Sequence, residues 1–411
     1  MPRPSRRCIR STESGNHIAP RFRVALRVLV LNAGSSSVKS RLYILPLGDL
    51  PETPIEAEWK GAVEWQAGRG MPRDEGERVL ERLLEPVRTR HGLAVDVVGH
   101  RVVHGGEALR ATTPVTPSVL EQIRLLAEFA PGHNPTEALA IEFAIEAFGP
   151  EVTQVAVFDT AFHATLPPAV YTYAGPPAWR QHGIRRYGFH GLSHHSAARR
   201  GARLVGADWR SLRIVTCHLG SGCSLAAVRN GACVDTTMGF TTLEGLVMGT
   251  RSGSVDPGIL LFLMRRGATA DDLDRMLNRE SGLLGVSGLS ADIRRIEEAM
   301  AEGHEGARLA FDVFAHRARA GVAAMAAGAG GLDLLVFTGG IGENSAAVRE
   351  AVCTGLGFLG VRLDAKRNRE IRGDGNLTET GSTVRVAVVK AEEEWEIARE
   401  CARVFSGGGS T

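Results

Sequence analysis

The sequence predicts a mixed α/β protein of two similar domains that face each other. Three observations predict it. The 411 residues suffice for two or three domains at roughly 150 residues each. One strand-loop-strand device occurs twice, about half a chain apart, which points to a duplicated domain rather than a solenoid of short repeats. Around these copies, short apolar strand-like runs alternate with segments whose apolar residues recur at three and four, the helical spacing.

Residues 1–27 carry seven arginines and one acid, Glu13, without the apolar run that a secretory signal needs. They read as an extension outside the fold, dispensable or produced by an upstream start; an organelle transit peptide is the alternative. Val28–Leu31 (VLVL) is the first strand. It ends in a Gly-Ser loop, after which Val38–Ile44 alternates apolar and polar residues as a returning strand. Pro117–Phe129 and Pro135–Phe148 have helical periodicity, and Val155–Phe158 is a further strand. The device returns with Ile214–Cys217, the loop His218–Ser224, the strand Leu225–Val228 and a turn at Asn230-Gly231. Leu334–Phe337 predicts a buried strand running through Gly-Gly into a helix over Ala346–Thr354. Glu392–Phe405 predicts a terminal helix with Trp395, Ile397 and Val404 on its apolar face.

Composition narrows the function by exclusion. Lys+Arg 48 against Asp+Glu 46 leaves a net charge of +2, so no basic face argues for nucleic acid. The most apolar stretch, Gly321–Leu332, is too short for a membrane span, which needs about 20 apolar residues. Six cysteines without a Cys-x-x-Cys pair suggest neither a disulfide framework nor a zinc site, and a reducing cytoplasmic location is expected. His190 and His194 stand four apart and Cys217 adjoins His218, but no third and fourth ligand follows at zinc spacing.

Gly- and Ser-rich turns after strands can aim successive backbone N–H groups at an anion and add hydroxyl donors. One such turn is usually an ordinary hairpin. Three in one chain, two of them related, favour a phosphate chain held between duplicated domains. Neither a Walker A pattern nor a Rossmann fingerprint is present, which lowers the case for a P-loop or dinucleotide enzyme. Lys39 lies just past the first loop, where an ammonium can reach a phosphate.

Several long motifs then fix a resemblance. Asn32-Ala-Gly-Ser-Ser-Ser-Val-Lys39 and Gly99-His-Arg-Val-Val-His-Gly-Gly106 closely resemble the acetate kinases. So do Phe158-Asp-Thr-Ala-Phe-His163, Arg186-Tyr-Gly-Phe-His-Gly191, Met238–Thr241 through Met248–Arg251, and Thr338-Gly-Gly-Ile-Gly-Glu-Asn344. The resemblance runs from about Val28 to Arg403 in the family's order. It implies the fold of actin, the sugar kinases and the heat-shock ATPases, two lobes with related βββαβαβα cores closing on a nucleotide. The lobes are expected at 28–161 with 396–411, and at 162–395 for the nucleotide-binding lobe. The implied activity is reversible transfer of the ATP γ-phosphoryl group to acetate, giving acetyl phosphate and ADP, with Mg²⁺ or alternatively Mn²⁺. A homodimer is implied as well.

By the same resemblance Arg101 and Arg251 are the catalytic arginines, with His133, Asp159 and His190 beside them. Guanidinium forks suit both a carboxylate and a migrating phosphoryl, because phosphoryl transfer needs fixed cations and donors more than a nucleophilic side chain. Asn32 and Glu393 are matched to the metal, although Glu392-Glu393-Glu394 leaves the register open by one. Ser35, Ser37 and Lys39 match the first phosphate loop, and His218, Leu219, Gly220, Ser221 and Gly222 the second; Ser221 replaces the family's usual Asn. Asp292, Ile293 and Arg294, with Gly339, Gly340, Ile341, Gly342, Glu343 and Asn344, match the nucleoside end. Val103 and Phe189 are expected against the substrate's alkyl group. Gly132 stands where the family often has Leu and Thr242 where it has Pro, departures that enlarge the pocket and admit propionate. The rivals are a propionate or butyrate kinase, and an actin-like or chaperone-like ATPase. The ATPase has no use for paired Arg101 and Arg251 beside His190.

Overall fold

The computed structural model describes residues 25–34, 37–64, 73–89 and 94–407. The expected extension lies outside them except for its last three residues, which belong to the first strand. Ala25, Leu26 and Arg27 pair with Pro46, Leu45 and Ile44, and the Arg27 amide donates to Asp96 at 2.8 Å. Arg27 interrupts the apolar run, which hides the true start of this strand from a pattern reading.

Among the described residues twelve strands form two six-stranded sheets of one design. In the first, β1 (Ala25–Ala33), β2 (Ser37–Pro46) and β3 (Trp59–Glu64) are antiparallel neighbours, and β4 (Val97–Val102) and β6 (Thr153–Phe158) extend from β1 in parallel. The two-residue β5 (Thr113–Pro114) closes the edge antiparallel to β6. The second sheet repeats this plan. β7 (Arg213–Leu219), β8 (Cys223–Arg229) and β9 (Ala232–Thr236) are antiparallel, β10 (Leu334–Thr338) and β12 (Arg385–Val388) run parallel with β7, and the short β11 (Gly375–Asn376) pairs with β12. Asn230 and Gly231 both take positive φ, 54° and 75°, as a two-residue hairpin between β8 and β9 requires.

The first strand shows why VLVL lacks alternation. Val28 and Val30 pack under the C-terminal helix Glu393–Phe405, against Trp395, Ile397 and Cys401. Leu29 and Leu31 pack on the other face against Leu83 and Leu84 of the helix Arg73–Thr89 and Ala144 of Asn134–Phe148. A central strand covered on both faces has no polar side. Each such side chain contributes about 1.5–3 kcal/mol when fully buried.

Two helices exchange sheets. Gly191–Leu204 follows β6 in the chain yet packs on β7 and β10, whereas Glu393–Phe405 follows β12 yet packs on β1 and β4. They meet between the sheets. Arg199 of one donates to Glu396 of the other at 3.0 Å, with Ser196 at 3.2 Å from the same carboxylate oxygen. The apolar stretch at Gly321 belongs to the helix Glu305–Ala329, which fills the second core with Phe311, Phe314 and Val322. Among the described residues no helix is long and apolar enough to cross a membrane.

Candidate active site

The site lies where the ends of the parallel strands from both sheets meet, the usual position for ligands in α/β proteins. On the first sheet, Arg101 sits near the end of β4, and Asp159 follows β6 beside it. The guanidinium grips the carboxylate with two bonds, Nε to Oδ1 at 3.0 Å and Nη2 to Oδ2 at 2.7 Å. Nη1 donates to Asn32 Oδ1 at 3.1 Å and stands 3.8 Å from Glu393. Burial alone would depress the Arg101 pKa, but Asp159 and Glu393 hold it well above its usual range. Asn32 in turn donates to Glu394 Oε1 at 3.0 Å. Both adjacent glutamates therefore reach this wall. Glu393 faces the charged cluster, and Glu394 orients Asn32.

Burial raises the Glu393 pKa, against the pull of Arg101 and the weaker pull of Lys39. This carboxylate is beyond hydrogen-bond distance of Arg101 and remains 16% exposed, so a further cation would be welcome beside it. Among the described residues no group of three or more His, Cys, Asp or Glu side chains could hold an ion unaided. Asp159 and Glu393, with the Asn32 carbonyl, fit a hard cation that takes its remaining oxygens from phosphate and water.

The second sheet contributes neutral donors. His190 caps the helix Gly191–Leu204 in the left-handed region, φ 56° and ψ 27°. For a side chain other than glycine that conformation costs on the order of 1–3 kcal/mol, which marks a functional position. Its Nδ1 lies 2.9 Å from Ser224 Oγ; the same hydroxyl is 2.7 Å from His194 Nε2, and His194 Nδ1 is 2.7 Å from Thr216 Oγ1. One hydroxyl proton serves two imidazoles, so the chain has two concerted orientations. When Ser224 donates to His190 Nδ1, His190 Nε2 carries the proton as a donor, the orientation that an anion at Nε2 selects. The His190 pKa is held well below its usual value by burial, then by His218, Arg101, His194 and Arg251. His218 stacks on His190 with ring centroids 4.2 Å apart, an arrangement that suits two neutral rings.

Arg251 differs from Arg101. Its Nη1 donates to the Thr242 carbonyl at 2.7 Å, and it has no carboxylate partner among the described residues. Burial lowers its pKa. A Cβ added at Gly222 would stand 3.0 Å from Arg251 Nη2 and 3.3 Å from His190 Cε1, so glycine here lets the second loop approach both. The His133 pKa is lowered to about 4, by burial first and then by Arg101 and Arg251. Arginines of the two sheets therefore bear on the same two histidines.

The loops follow the duplicated plan. Gly34 N–H donates to Ser37 O at 2.8 Å in the first, and Gly220 N–H to Gly222 O at 3.0 Å in the second. Ser35 lies outside the described residues. Ser37 is half-buried at the start of β2, and exposed Lys39 acts on Glu393. Ser221 is exposed and its carbonyl accepts from Gly249. Gly339 has φ 79°, and a Cβ there would come within 2.7 Å of Leu219 O; this glycine lets the third turn close on the second loop.

At the nucleoside end, Asp292 caps the helix Ile293–Ala301, and Arg294 folds back on it with Nη2 to Oδ2 at 2.6 Å. A Cβ at Gly249 would lie 3.2 Å from Ala291 O and 3.6 Å from Ser221 O, which places this turn beside the second loop. Leu219, Ile293 and Ile341 turn their side chains into the core, leaving only backbone for a ligand. Glu343 accepts the Ala391 amide at 2.8 Å, and Asn344 Nδ2 donates to Gly340 O at 2.8 Å. Gly340 and Gly342 complete this turn.

Val103 and Phe189 are buried beside a ring cluster of His104, Phe129, Tyr187 and Phe240. A Cβ at Gly132 would meet nothing within 4 Å. Sequence reasoning missed Glu137, Ser193 and Ser224, and weighed His194 only as a zinc ligand. Glu137 Oε2 accepts the Val103 amide at 3.0 Å, and burial pushes its pKa up to about 8. Ser193 Oγ lies 2.7 Å from His218 Nδ1. The signal for Glu137 is an acid placed directly before the apolar run Ala138–Ile141; Ser193 and Ser224 carry none.

The profile of the Acetokinase family matches residues 27–399. An acetate kinase from Gloeobacter violaceus is 50% identical over 399 residues, covering 92% of this chain and 98% of the relative. One from Nostoc sp. is 46% identical over 400 residues, with the same coverage. Among solved structures, Porphyromonas gingivalis acetate kinase superposes with a TM-score of 0.80 at 40% identity, covering 93% of this chain and 100% of that one. A propionate kinase from Francisella tularensis gives 0.79 at 37% identity, covering 91% and 98%.

Proposed function

This chain belongs to the acetokinase family, and from that premise we propose that it is an acetate kinase, transferring the ATP γ-phosphoryl group reversibly to acetate. The observation that carries the reading is the convergence of Arg101 of the first sheet and Arg251, on a turn beside the Gly222 loop of the second, on His133 and His190. An acetate oxygen attacks the γ-phosphorus as the bond to the β-phosphate oxygen breaks, without a side-chain nucleophile. Arg251, lacking a carboxylate partner, takes the acetate and the migrating phosphoryl charge, and Arg101 is held for the same task by Asp159. His190 Nε2 donates to an equatorial oxygen, and amides of the Gly220 and Gly340 turns receive the phosphates. Asn32, Asp159 and Glu393 would hold Mg²⁺, which supplies charge neutralisation for the phosphates.

Val103 and Phe189 form the apolar side of the acceptor pocket. The open space at Gly132 supports propionate as a second substrate, since one methylene is worth only about 1–3 kcal/mol of discrimination. The proposed lobes are 28–161 with 396–411, and 162–395, the first sheet beginning three residues earlier at Ala25. A cytoplasmic homodimer is the proposed form. The helix Pro257–Arg265 supports it, having no buried residue and exposing Ile259, Leu261, Phe262 and Met264 by about half.

The test is acyl phosphate formation from ATP with acetate, propionate and butyrate. Acetyl phosphate is expected, with kcat/KM for propionate within about a thousandfold of that for acetate, a gap of about 4 kcal/mol. ATP hydrolysis without any acyl phosphate would place the chain with the ATPases instead.

A further inference from the structure

Behind the cleft, where the exchanged helices meet, lies a cavity of about 930 Å³ that the proposed reaction does not use. Its walls come from both halves of the molecule: the helices Gly191–Leu204 and Glu393–Phe405, the end of β6, and the turns at Thr53, Trp209 and Gly231. Arg110, Arg199, Arg200, Arg203, Arg210 and Arg403 line it, against the acids Glu52, Asp208 and Glu400. The excess is smaller than that count and confined to one part of the wall, because Arg199 is paired with Glu396 as well. Arg200 is held by Asp374, and Arg403 by Glu400. Arg203 and Arg210 are exposed and have no carboxylate partner among the described residues, and Arg110 donates to the Ala164 carbonyl.

Arg199 is the strongest indicator. Its side chain is only 10% exposed, and its Nε has no hydrogen-bond partner although the guanidinium is paired with Glu396. A buried, unpaired donor costs about 1–3 kcal/mol, so this guanidinium is under-bonded where it lines the cavity. His195, Arg199 and Arg203 follow at intervals of four, so one face of the helix presents all three to the cavity. Burial pushes the His195 pKa down to about 3. Its neutral ring lies on Phe162, with centroids 5.3 Å apart, and near Trp209 at 5.4 Å, forming an aromatic wall beside the guanidinium groups.

We propose that this cavity is a second anion site, which takes a small, multiply charged anion bearing phosphate or several carboxylates. Arg203 and Arg210 hold it at the mouth, and Arg199 reaches it from inside. Because Arg199 and Arg203 belong to the helix on the second sheet and Arg403 to the helix on the first, an occupant ties the two lobes together at their crossing.

Trp209 provides the reporter. Inorganic pyrophosphate and tricarballylate are titrated separately into the full-length chain without nucleotide or metal, following tryptophan fluorescence and, in parallel, heat. A saturable fluorescence change is expected for at least one probe. Its dissociation constant should rise at least tenfold in Arg203→Glu/Arg210→Glu. Both positions are exposed and outside the catalytic cleft, so kcat for acetate should stay within about twofold of wild type, less than 0.5 kcal/mol. Trp209→Phe should abolish the optical signal and keep the heat. Tighter pyrophosphate identifies a phosphate-bearing ligand, and tighter tricarballylate a polycarboxylate. No saturable binding of either probe, or equal affinity in wild type and the double arginine variant, overturns the proposal.

Discussion

The two walls of the cleft are built on the same sheet plan yet carry opposite kinds of chemistry. The first is a closed set of charges: Arg101, Asp159, Asn32, Glu393 and Glu394 bond or face one another before any ligand arrives. The second is a set of neutral donors, His190, His218 and Ser224, with one unpaired cation, Arg251. Duplication fixed where strands end and loops begin. It did not fix what those ends present. The pre-paired wall keeps its geometry at low electrostatic cost, whereas the unpaired wall leaves Arg251 unneutralised for an incoming anion.

Removing each arginine is the harshest way to break this comparison. Both Arg101→Ala and Arg251→Ala should lower kcat by about 10²–10³ or more, the usual effect of deleting one transition-state donor. Only Arg101→Ala should also destabilise the fold, by about 3–5 kcal/mol, because it leaves Asp159 and Glu393 unpaired. Activity assays beside thermal melts decide this. Equal melting temperatures for the two variants would erase the distinction between the walls.

A milder loss is expected within the neutral wall. Ser224→Ala removes the hydroxyl that sets the His190 tautomer, and kcat should fall about tenfold, or 1.4 kcal/mol, with KM for acetate nearly unchanged. Ser224→Thr, which restores the hydroxyl, should recover most of it. A rise in KM with kcat intact would reduce Ser224 to a packing residue.

A further effect is one of pH on stability, where the buried histidines and the buried acid Glu137 should respond with opposite signs. Neutral His133 and His218 have folded pKa values of about 4, so their contribution is full above about 6.5 and lost as pH falls toward 4. Glu137, raised to about 8, contributes most below about 4.5 and loses its contribution as pH rises through 8. Urea unfolding of wild type and Glu137→Gln from pH 4 to 9 separates the terms. The difference should shift toward the variant by up to about 1.4 kcal/mol per pH unit between 4.5 and 8, then level off. A constant difference over that range would mean that Glu137 does not retain its proton.

Much of this architecture was legible because its signals are local. VLVL, the second hairpin loop, the Asn230-Gly231 turn and the terminal helix each declare themselves within a dozen residues, although that loop narrows to 220–222 because His218, Leu219, Cys223 and Ser224 pair within the strands. The start of β1 was not, because Arg27 breaks an apolar pattern that only pairing with Ile44 restores. Glu393 against Glu394 was also undecided, since adjacent helical residues differ by about 100° in direction and only the fold says which neighbours each meets. Glu137 and Ser224 gave too little to read; one is an acid in an apolar helix and the other a serine in a strand, until Val103 and His190 lie against them.

By itself the sequence determined the strand and helix runs, the glycines that allow close loops, and the family motifs holding both arginines. Each of these depends on a residue and its near neighbours in the chain. Only tertiary structure decided which charges are neutralised. Arg101 and Asp159 are 58 positions apart, Asn32 and Glu394 are 362 apart, and Arg251 has no carboxylate partner among the described residues. Electrostatic energy follows distance through space and the water excluded from it, and neither quantity exists until the two sheets have closed on one another.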